Sequence, residues 1–531
     1  MDIPGKTRIL IVGAGPTGLM MACQLCRFQI DFLIIDQKPG PVQTSNAFGV
    51  QARTVEILDQ MGVADEFLEL AQRAENVTFY VSGKIARQFH FAKPGAGKTK
   101  FPNIYLLEQF ETEKLLLDFL AQHGKKVNWN TRLTDIKETA DAVESVICQD
   151  GRTYEVSSTY LIGADGASST VREKLKIAFH GKTFPQNFML ADVYLDWDSP
   201  QHHIVTAMEK NQVMGFFPFK EKNKYRIFSF LDDSEKDIDE FSENDIKNNT
   251  ENLLGLNIKI KKSIWFSVFK LHSRSVTAFR KNNCFLAGDS AHVHSPAGAQ
   301  GMNTGIQDAY NLAWKLAMVL KSGFPNRLLE SYDEERKPIA RNLLKNTDLA
   351  FQFTVSKNPF FRFIRLRIFP LALKILLSSS FVRKTGFLRL SQLNIKYPDS
   401  GMNGSGARGS FSADAPSPGD RFPFFPLSDR QTSLDLLKNT GFNLLMFNVD
   451  SSDTELDAIK SWKNRTELDW LTMIDVEPCP GYAQIIQKWN IRQNSIMLIR
   501  PDMHVAYRSQ PASLRDFQSY LSENNYPDPA P

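Results

Sequence analysis

Six residues near the start of the chain, Gly13-Ala14-Gly15-Pro16-Thr17-Gly18, have the spacing G-x-G-x-x-G. They stand between an apolar run, Ile9 to Val12, and a stretch with helical periodicity from about Pro16 to Arg27. Glycines at these positions let a backbone turn tightly and approach a pyrophosphate, whose charge faces a helix N-terminus. The next apolar run, Phe32 to Ile35, ends in Asp36, at the spacing from which a carboxylate accepts hydrogen bonds from ribose hydroxyls. Strand, glycine turn, helix, strand and acid together predict a dinucleotide site. The same six-residue pattern recurs at Gly404-Ser405-Gly406-Ala407-Arg408-Gly409, where neither a strand precedes nor a helix follows, so that stretch is read as linker. Pro94 to Thr99 hints at a phosphate loop, but Ala92 stands where its first glycine would be required.

Two later segments carry further chemistry. Leu161-Ile162-Gly163-Ala164-Asp165-Gly166 is a buried strand running into a glycine turn, with Ser169 and Arg172 after it. Phe285-Leu286-Ala287-Gly288-Asp289 leads into Ser295-Pro296-Ala297-Gly298-Ala299-Gln300-Gly301-Met302-Asn303 and a long helix. Such a glycine-rich wall lets backbone N–H groups approach a planar ring, and the helix directs its positive end at negative charge placed there. His292 and His294 are read as loop structure rather than as ligands or bases.

These three elements, in this order and separation, resemble the class A flavoprotein monooxygenases, the p-hydroxybenzoate hydroxylase and phenol hydroxylase superfamily. The resemblance implies that Gly13, Gly15, Gly18 and Asp36 bind the ADP half of FAD. Asp165 and Gly166 would serve FAD and nicotinamide coenzyme, and Gly288 and Asp289 the ribityl chain. Pro296, Gly298, Gly301, Met302 and Asn303 would border the flavin ring, and Arg53 and Gln109 would contact FAD. It further implies NADPH or NADH as co-substrate, O2, a flavin hydroperoxide, and hydroxylation of an aromatic or polyketide-like small molecule. Two departures stand out: Asn46 where the family often has Arg, and Ser295-Pro296 where it often has Pro-Pro. The end of the chain, Ile499-Arg500-Pro501-Asp502-Met503-His504, resembles the thioredoxin-like C-terminal domain of the phenol hydroxylase branch. It has one cysteine, Cys479, and no C-x-x-C, so a structural or dimer-supporting role is expected of it.

The elements that must hold these residues make an α/β protein. A discontinuous Rossmann-type FAD-binding domain is expected over 1–178 and 276–345, with an antiparallel-sheet substrate domain inserted at 179–275. A helical connection (346–400), a linker (401–417) and the thioredoxin-like domain (418–531) follow. Phe217, Phe219 and Tyr225, in the alternating segments of the inserted sheet, are expected to wall the substrate pocket. No general base and no metal site can be named.

Composition agrees with a small-molecule enzyme. The formal charge of +4 over 531 residues predicts no nucleic-acid footprint. Five scattered cysteines suit a reducing compartment, and Cys23 and Cys26 read as a buried structural pair; cytoplasmic residence follows. The segment from Phe360 to Leu371 interleaves basic and aromatic residues as a membrane-surface helix does. Its charges and Pro370 forbid a span, and packing against the C-terminal domain is expected instead. A flavin halogenase is set aside because no W-x-W-x-I-P string occurs among the seven tryptophans, which leaves a non-catalytic FAD-binding sensor or scaffold as the alternative.

Overall fold

The computed structural model describes residues 3–43, 47–90, 93–197, 203–209, 212–231, 238–252, 258–295, 298–356, 358–369, 371–372, 379–406, 411–447, 454–466, 468–478 and 481–527. Asn46, Ala92, Pro296 and Cys479 lie outside them.

The first strand, Lys6–Val12, pairs in parallel with Phe32–Ile35 on one side and Arg152–Gly163 on the other; the latter continues in parallel to Cys284–Leu286. Near-continuous apolar runs such as ILIV suit strands covered on both faces. The helix Pro16–Arg27 buries every residue from Gly18 to Leu25. It packs between the sheet and two further helices, Gln109–Gln122 and Gly301–Lys321. The latter is enclosed from Asn303 to Met318, as a helix through the middle of a large core must be.

A second sheet has eight strands in the order His292–Val293, Lys259–Val276, Phe179–Asp196, Lys224–Leu231, Gln212–Pro218, His203–Glu209, Asn76–Val81 and Lys84–His90. The last two lie outside the expected 179–275 insertion. They form a hairpin whose turn, Ser82-Gly83, has φ of 50° and 74°, the left-handed geometry that matches strand twist. Asn76–Val81 then pairs in parallel with His203–Glu209, a contact between distant segments that local periodicity does not reveal.

The two faces of this sheet differ. Met189, Val193, Phe216, Tyr225 and Ile227 pack with Ile246, from the helix Glu243–Asn252. The opposite face carries Phe188, Leu190, Phe228 and Phe230, met by Phe351 of the helix Glu330–Val355. That helix runs without interruption through the boundary expected at 345/346.

The C-terminal sheet has the order Gly404–Ser405, Val505–Ser509, Ser495–Ile499, Phe442–Phe447 and Leu471–Asp475. Its edge corrects the linker reading of the second glycine motif. Gly404 and Ser405 pair in parallel with Tyr507 and Arg508, and a Cβ on Gly404 would lie 2.2 Å from the Tyr520 ring. Gly404 and Gly406 let an edge strand lie against Tyr520 and Tyr507, while Ala407, Arg408 and Gly409 lie outside the described residues. The basic, aromatic segment also departs from expectation. Pro359–Phe363 and its continuation Ile364–Ile368 fold back on the preceding helix, with Arg365 Nη1 donating to Phe353 O (3.1 Å), and make no described contact with the C-terminal sheet.

What joins the C-terminal module to the rest is a buried charge network. Arg500 donates to Glu335 Oε1 (2.6 Å) and Oε2 (2.9 Å) and to Asp502 Oδ1 (2.9 Å). Glu335 also accepts from Lys315 (2.8 Å), Asn311 (2.7 Å) and Ser400 (2.6 Å). With its two cationic neighbours, Glu335 is held far below the ordinary carboxylate pKa although burial alone would raise it. Removing one member leaves enclosed charges without partners. Glu335→Ala should therefore cost about 3–5 kcal/mol. Urea unfolding followed through Trp314, against which Arg500 stacks at 5.2 Å, reads this loss, and an unchanged midpoint would contradict it.

Candidate cofactor and substrate site

The glycine turn is built by backbone contacts. Gly13 has φ +103°, and a Cβ there would lie 2.3 Å from Ala164 O; one on Gly18 would lie 1.9 Å from Gly13 O. Both positions are closed to any side chain. Gly15 is different, because a Cβ built on it meets nothing within 4 Å. Open space on that side, with Gly15 as an N-cap lacking any side-chain cap, leaves the first helical N–H groups directed outward. Such a cradle fits a phosphate. Asp36 closes the turn by accepting from Ala14 N (2.7 Å) and Lys38 N (2.9 Å). Nearby, the buried Glu113 has an Oε2 with no hydrogen-bond partner and a pKa raised chiefly by burial.

Asp165 and Gly166 form a turn beside this loop. Asp165 accepts from Ser169 Oγ (2.5 Å) and Val171 N (3.1 Å), so its carboxylate organises the start of the short helix Thr170–Lys174. Arg172 then donates to Ala167 O (2.8 Å) and Ser290 O (3.1 Å), tying the turn to the Gly288-Asp289 segment. Gly288, at φ +63°, is pressed against Thr17, with Oγ1 2.4 Å from where a Cβ would sit. Asp308 holds this segment from below. It accepts from Gly288 N (3.1 Å) and Arg336 Nε (2.7 Å) and lies 2.8 Å from His292 Nε2. Asp289 itself is exposed to solvent, yet enough protein surrounds it to raise its carboxyl pKa. Burial is the largest cause, His292 opposes it and Asp308 adds to it. Exposure with protein close on its other sides places Asp289 at the edge of a recess.

The glycine-rich wall follows. Gly298 has φ +85°, and Gly301 and Met302 are half-buried at the start of the long helix, whose first N–H groups have no side-chain cap. Asn303 faces inward instead. Its side chain accepts from Gln51 N (2.8 Å) and Thr54 Oγ1 (2.7 Å) and donates to Gly49 O (2.9 Å) and Ala299 O (2.9 Å), so it locks residues 49–54 to the wall. His294 lies against Gly301. Its Nδ1 is 2.7 Å from Ser295 O, its buried Nε2 has no partner, and burial lowers its pKa to about 4.

One expected cofactor contact sits elsewhere. The Arg53 side chain is fully enclosed and donates to Glu56 Oε2 (3.1 Å) and Asp502 O (2.7 Å), facing the C-terminal module rather than the recess. Gln109 accepts from Ala47 N (3.3 Å) and donates to Glu113 (2.9 Å), bracing the segment before Phe48.

Across the recess stands the sheet. Arg226 donates to both Asp192 oxygens (2.8 and 2.7 Å) and to Ala47 O (3.2 Å), which brings this face of the sheet against Phe48. Phe217 and Phe219 lie on that face, with ring centroids 6.4 and 4.7 Å from Phe48. Tyr225 does not. It opposes Pro218, not Phe217, and strand parity puts it in the core beside Trp197, at 5.9 Å. The residues on the correct face that sequence reading missed are Phe228, 5.6 Å from Phe217, and Trp265, opposite Asp192. Counting by twos from Phe217 through its partner Arg226 would have found Phe228.

Comparisons with known proteins bear on this geometry. Residues 6–347 match the family model described as FAD binding domain, and residues 415–523 the one described as aromatic-ring hydroxylase, C-terminal. The chain is 36% identical over 353 residues to 6-methylpretetramide 4-monooxygenase of Streptomyces rimosus, a match covering 66% of this chain and 63% of that protein. It is 28% identical over 544 residues to pentachlorophenol 4-monooxygenase of Sphingobium chlorophenolicum, covering 96% and 95%. Among solved structures, OxyS anhydrotetracycline hydroxylase from Streptomyces rimosus superposes with a TM-score of 0.79 at 26% identity, covering 98% and 100%. A ternary complex of aklavinone-11 hydroxylase with FAD and aklavinone superposes at 0.80 and 22% identity, covering 99% of each chain, and supports the fold alone.

The glycine turn yields a paired test. Gly15→Ala enters open space, so the unfolding midpoint without ligand should stay within about 0.5 kcal/mol of the parent. FAD should bind about tenfold to a hundredfold more weakly, because the methyl group stands where the phosphate must come. Gly18→Ala collides with backbone and should destabilise the protein by about 1–3 kcal/mol. Equal effects of the two changes on stability would refute the assignment. His294 gives a second test. Its folded pKa of about 4 is below the ordinary 6.5, so stability is complete above about pH 6.5 and falls as pH drops towards 4. The loss should be about 2–3 kcal/mol. Urea midpoints against pH should show a shallower slope in His294→Gln, and parallel profiles would count against this origin.

Proposed function

The chain belongs to the class A FAD-dependent aromatic monooxygenases and acts as a flavin-dependent hydroxylase. From that premise we propose that its substrate is a multi-ring aromatic or polyketide-like phenol, oxygenated with NADPH or NADH and O2. The observation that carries this substrate class is the aromatic face of the sheet. From Phe48, ring centroids lie 6.4 Å apart to Phe217 and 5.6 Å onward to Phe228, and Phe217, Phe228 and Trp265 keep part of their surface exposed. Rings in sequence offer stacking and edge contacts to a flat molecule several rings long, where a single phenol would use only one of them.

FAD bound in the recess supplies the oxygen-activating chemistry once a nicotinamide has reduced it. The residues present fit that group. The Gly15 cradle and Asp36 would take its pyrophosphate and ribose, with Gly13 and Gly18 shaping the turn. Gly288 and Asp289 would border the hydroxylated chain, braced by Asp165, Gly166 and Arg172. Gly298, Gly301 and Met302 would face the ring, and Asn303 would hold that wall in place rather than touch it. The uncapped N–H groups at the start of Gly301–Lys321 place partial positive charge at the wall, which favours an anionic ring. The aromatic face excludes water and turns the substrate ring toward the wall. Phe217, Phe219, Phe228 and Trp265 are the proposed substrate contacts.

We also infer residence in a reducing compartment, the cytoplasm. Cys23, Cys26, Cys148 and Cys284 are free, and burial raises the Cys23 thiol pKa well above its ordinary value. Among the described residues no helix is long and apolar enough to cross a membrane.

Oxidation of NADPH and NADH should accelerate with a multi-ring phenol, and mass spectrometry under 18O2 should show one labelled oxygen in the product. Failure of every aromatic compound to stimulate oxidation would return the reading to a non-catalytic flavin sensor. Asp289→Ala removes a charge-assisted partner from the flavin hydroxyls, an effect of about 1.5–3 kcal/mol. FAD affinity should fall about tenfold to a hundredfold in equilibrium titration. An unchanged dissociation constant would sink the placement of the flavin at this segment.

A further inference from the structure

Between Asp348 and Asp399 the sequence contains no acidic residue, while nine lysines and arginines fall in the same fifty positions. Large apolar side chains stand out from this region. Phe360 is 66% exposed, Phe363 58%, Leu371 62% and Phe381 75%. Arg367, Lys384 and Arg389 are exposed among them. Exposed apolar side chains of this kind, rimmed by cations, mark an interaction site.

We propose that the helix Pro359–Phe363, its continuation Ile364–Ile368 and the start of the helix Ser380–Leu390 form a docking face for an anionic lipid bilayer. Apolar side chains enter the boundary between headgroups and acyl chains, and the cations meet lipid phosphates, as on helices that lie in a membrane interface. Charge argues against a second copy of this chain. A two-fold contact through this face would set like charges of both copies against each other with no acid in the segment to compensate.

Both ends of the region rest on walls of the recess. On one side Phe351, in the helix that leads into it, packs against Phe230 of the aromatic face, with ring centroids 5.0 Å apart. On the other, Gln300 Nε2 donates to Arg389 O and Leu390 O, each at 3.3 Å. A docked enzyme would therefore hold these two contacts close to the lipid. The lipid contact does not depend on the substrate reading.

Flotation of the FAD-loaded protein with vesicles of phosphatidylglycerol and phosphatidylcholine, and with phosphatidylcholine alone, tests the proposal. The mixed vesicles should carry the protein upward, and raising the salt should weaken the association. Arg367→Glu/Lys384→Glu should reduce apparent affinity at least about twenty-five-fold, at about fivefold per cation. Phe360→Ser/Phe363→Ser should weaken binding to both kinds of vesicle at unchanged FAD content. Should the Phe variant fail to fold, the charge variant decides alone. The proposal is overturned if the parent protein stays at the bottom of the gradient with anionic vesicles, or if both variants float as it does. It is also overturned if light scattering finds a dimer that the Phe variant dissociates, which would assign the face to a second copy.

Discussion

The carboxylate of Asp308 is fully enclosed, and a buried charge persists only when every lone pair finds a donor. Three donors converge on it: the N–H of Gly288, the ring of His292 and the guanidinium of Arg336. Two of these lie in the segment that lines the recess and one in the helix Glu330–Val355, so a single group sets the height of the recess floor against both long helices. Burial pushes its pKa up and Arg336 and His292 outweigh that, leaving it below the ordinary value. Arg336 continues to Tyr397 (3.1 Å), whose ring lies under Arg500 at 5.3 Å. The C-terminal module is thus fastened to the helix that steadies the floor.

That arrangement gives the module a use that needs no thiol. Arg500 and Asp502 belong to the turn between its strands Ser495–Ile499 and Val505–Ser509, yet Arg500 is neutralised by Glu335 of the other body. Such pairs contribute little net stability compared with apolar packing, but they tolerate only one orientation, because any slip leaves a charge unpaired. Arg53 and Arg421 meet at Glu56 in the same manner. The module is a brace that keeps the helices behind the recess in register.

The recess combines two environments that one element could not supply. Its cofactor side is backbone, with glycines at Gly13, Gly288 and Gly298 held at positive φ and helix ends pointing inward. Its other side is aromatic surface on a stiff sheet. The Arg226–Asp192 pair, with Arg226 also reaching Ala47 O, closes the distance between the two.

The sequence by itself determined the parts whose physics is local. Gly13, Gly15 and Gly18 could be read because a glycine turn between strand and helix needs those residues at that spacing, and the Gly288–Asn303 wall because its glycines precede a long apolar helix. What could not be read depends on partners far along the chain. Arg53 looked like a cofactor contact until folding brought Asp502 to it. Gly404 looked like linker until Tyr520 lay against it. Tyr225 fell on the wrong face because strand parity is fixed by pairing with Phe217 and Pro218, not by composition. The hairpin at residues 76–90 joined the second sheet through a parallel pairing more than a hundred residues away. Hydrogen-bond geometry and packing between remote segments are properties of the folded chain, so only the tertiary structure decided which of these side chains face the recess and which hold it up.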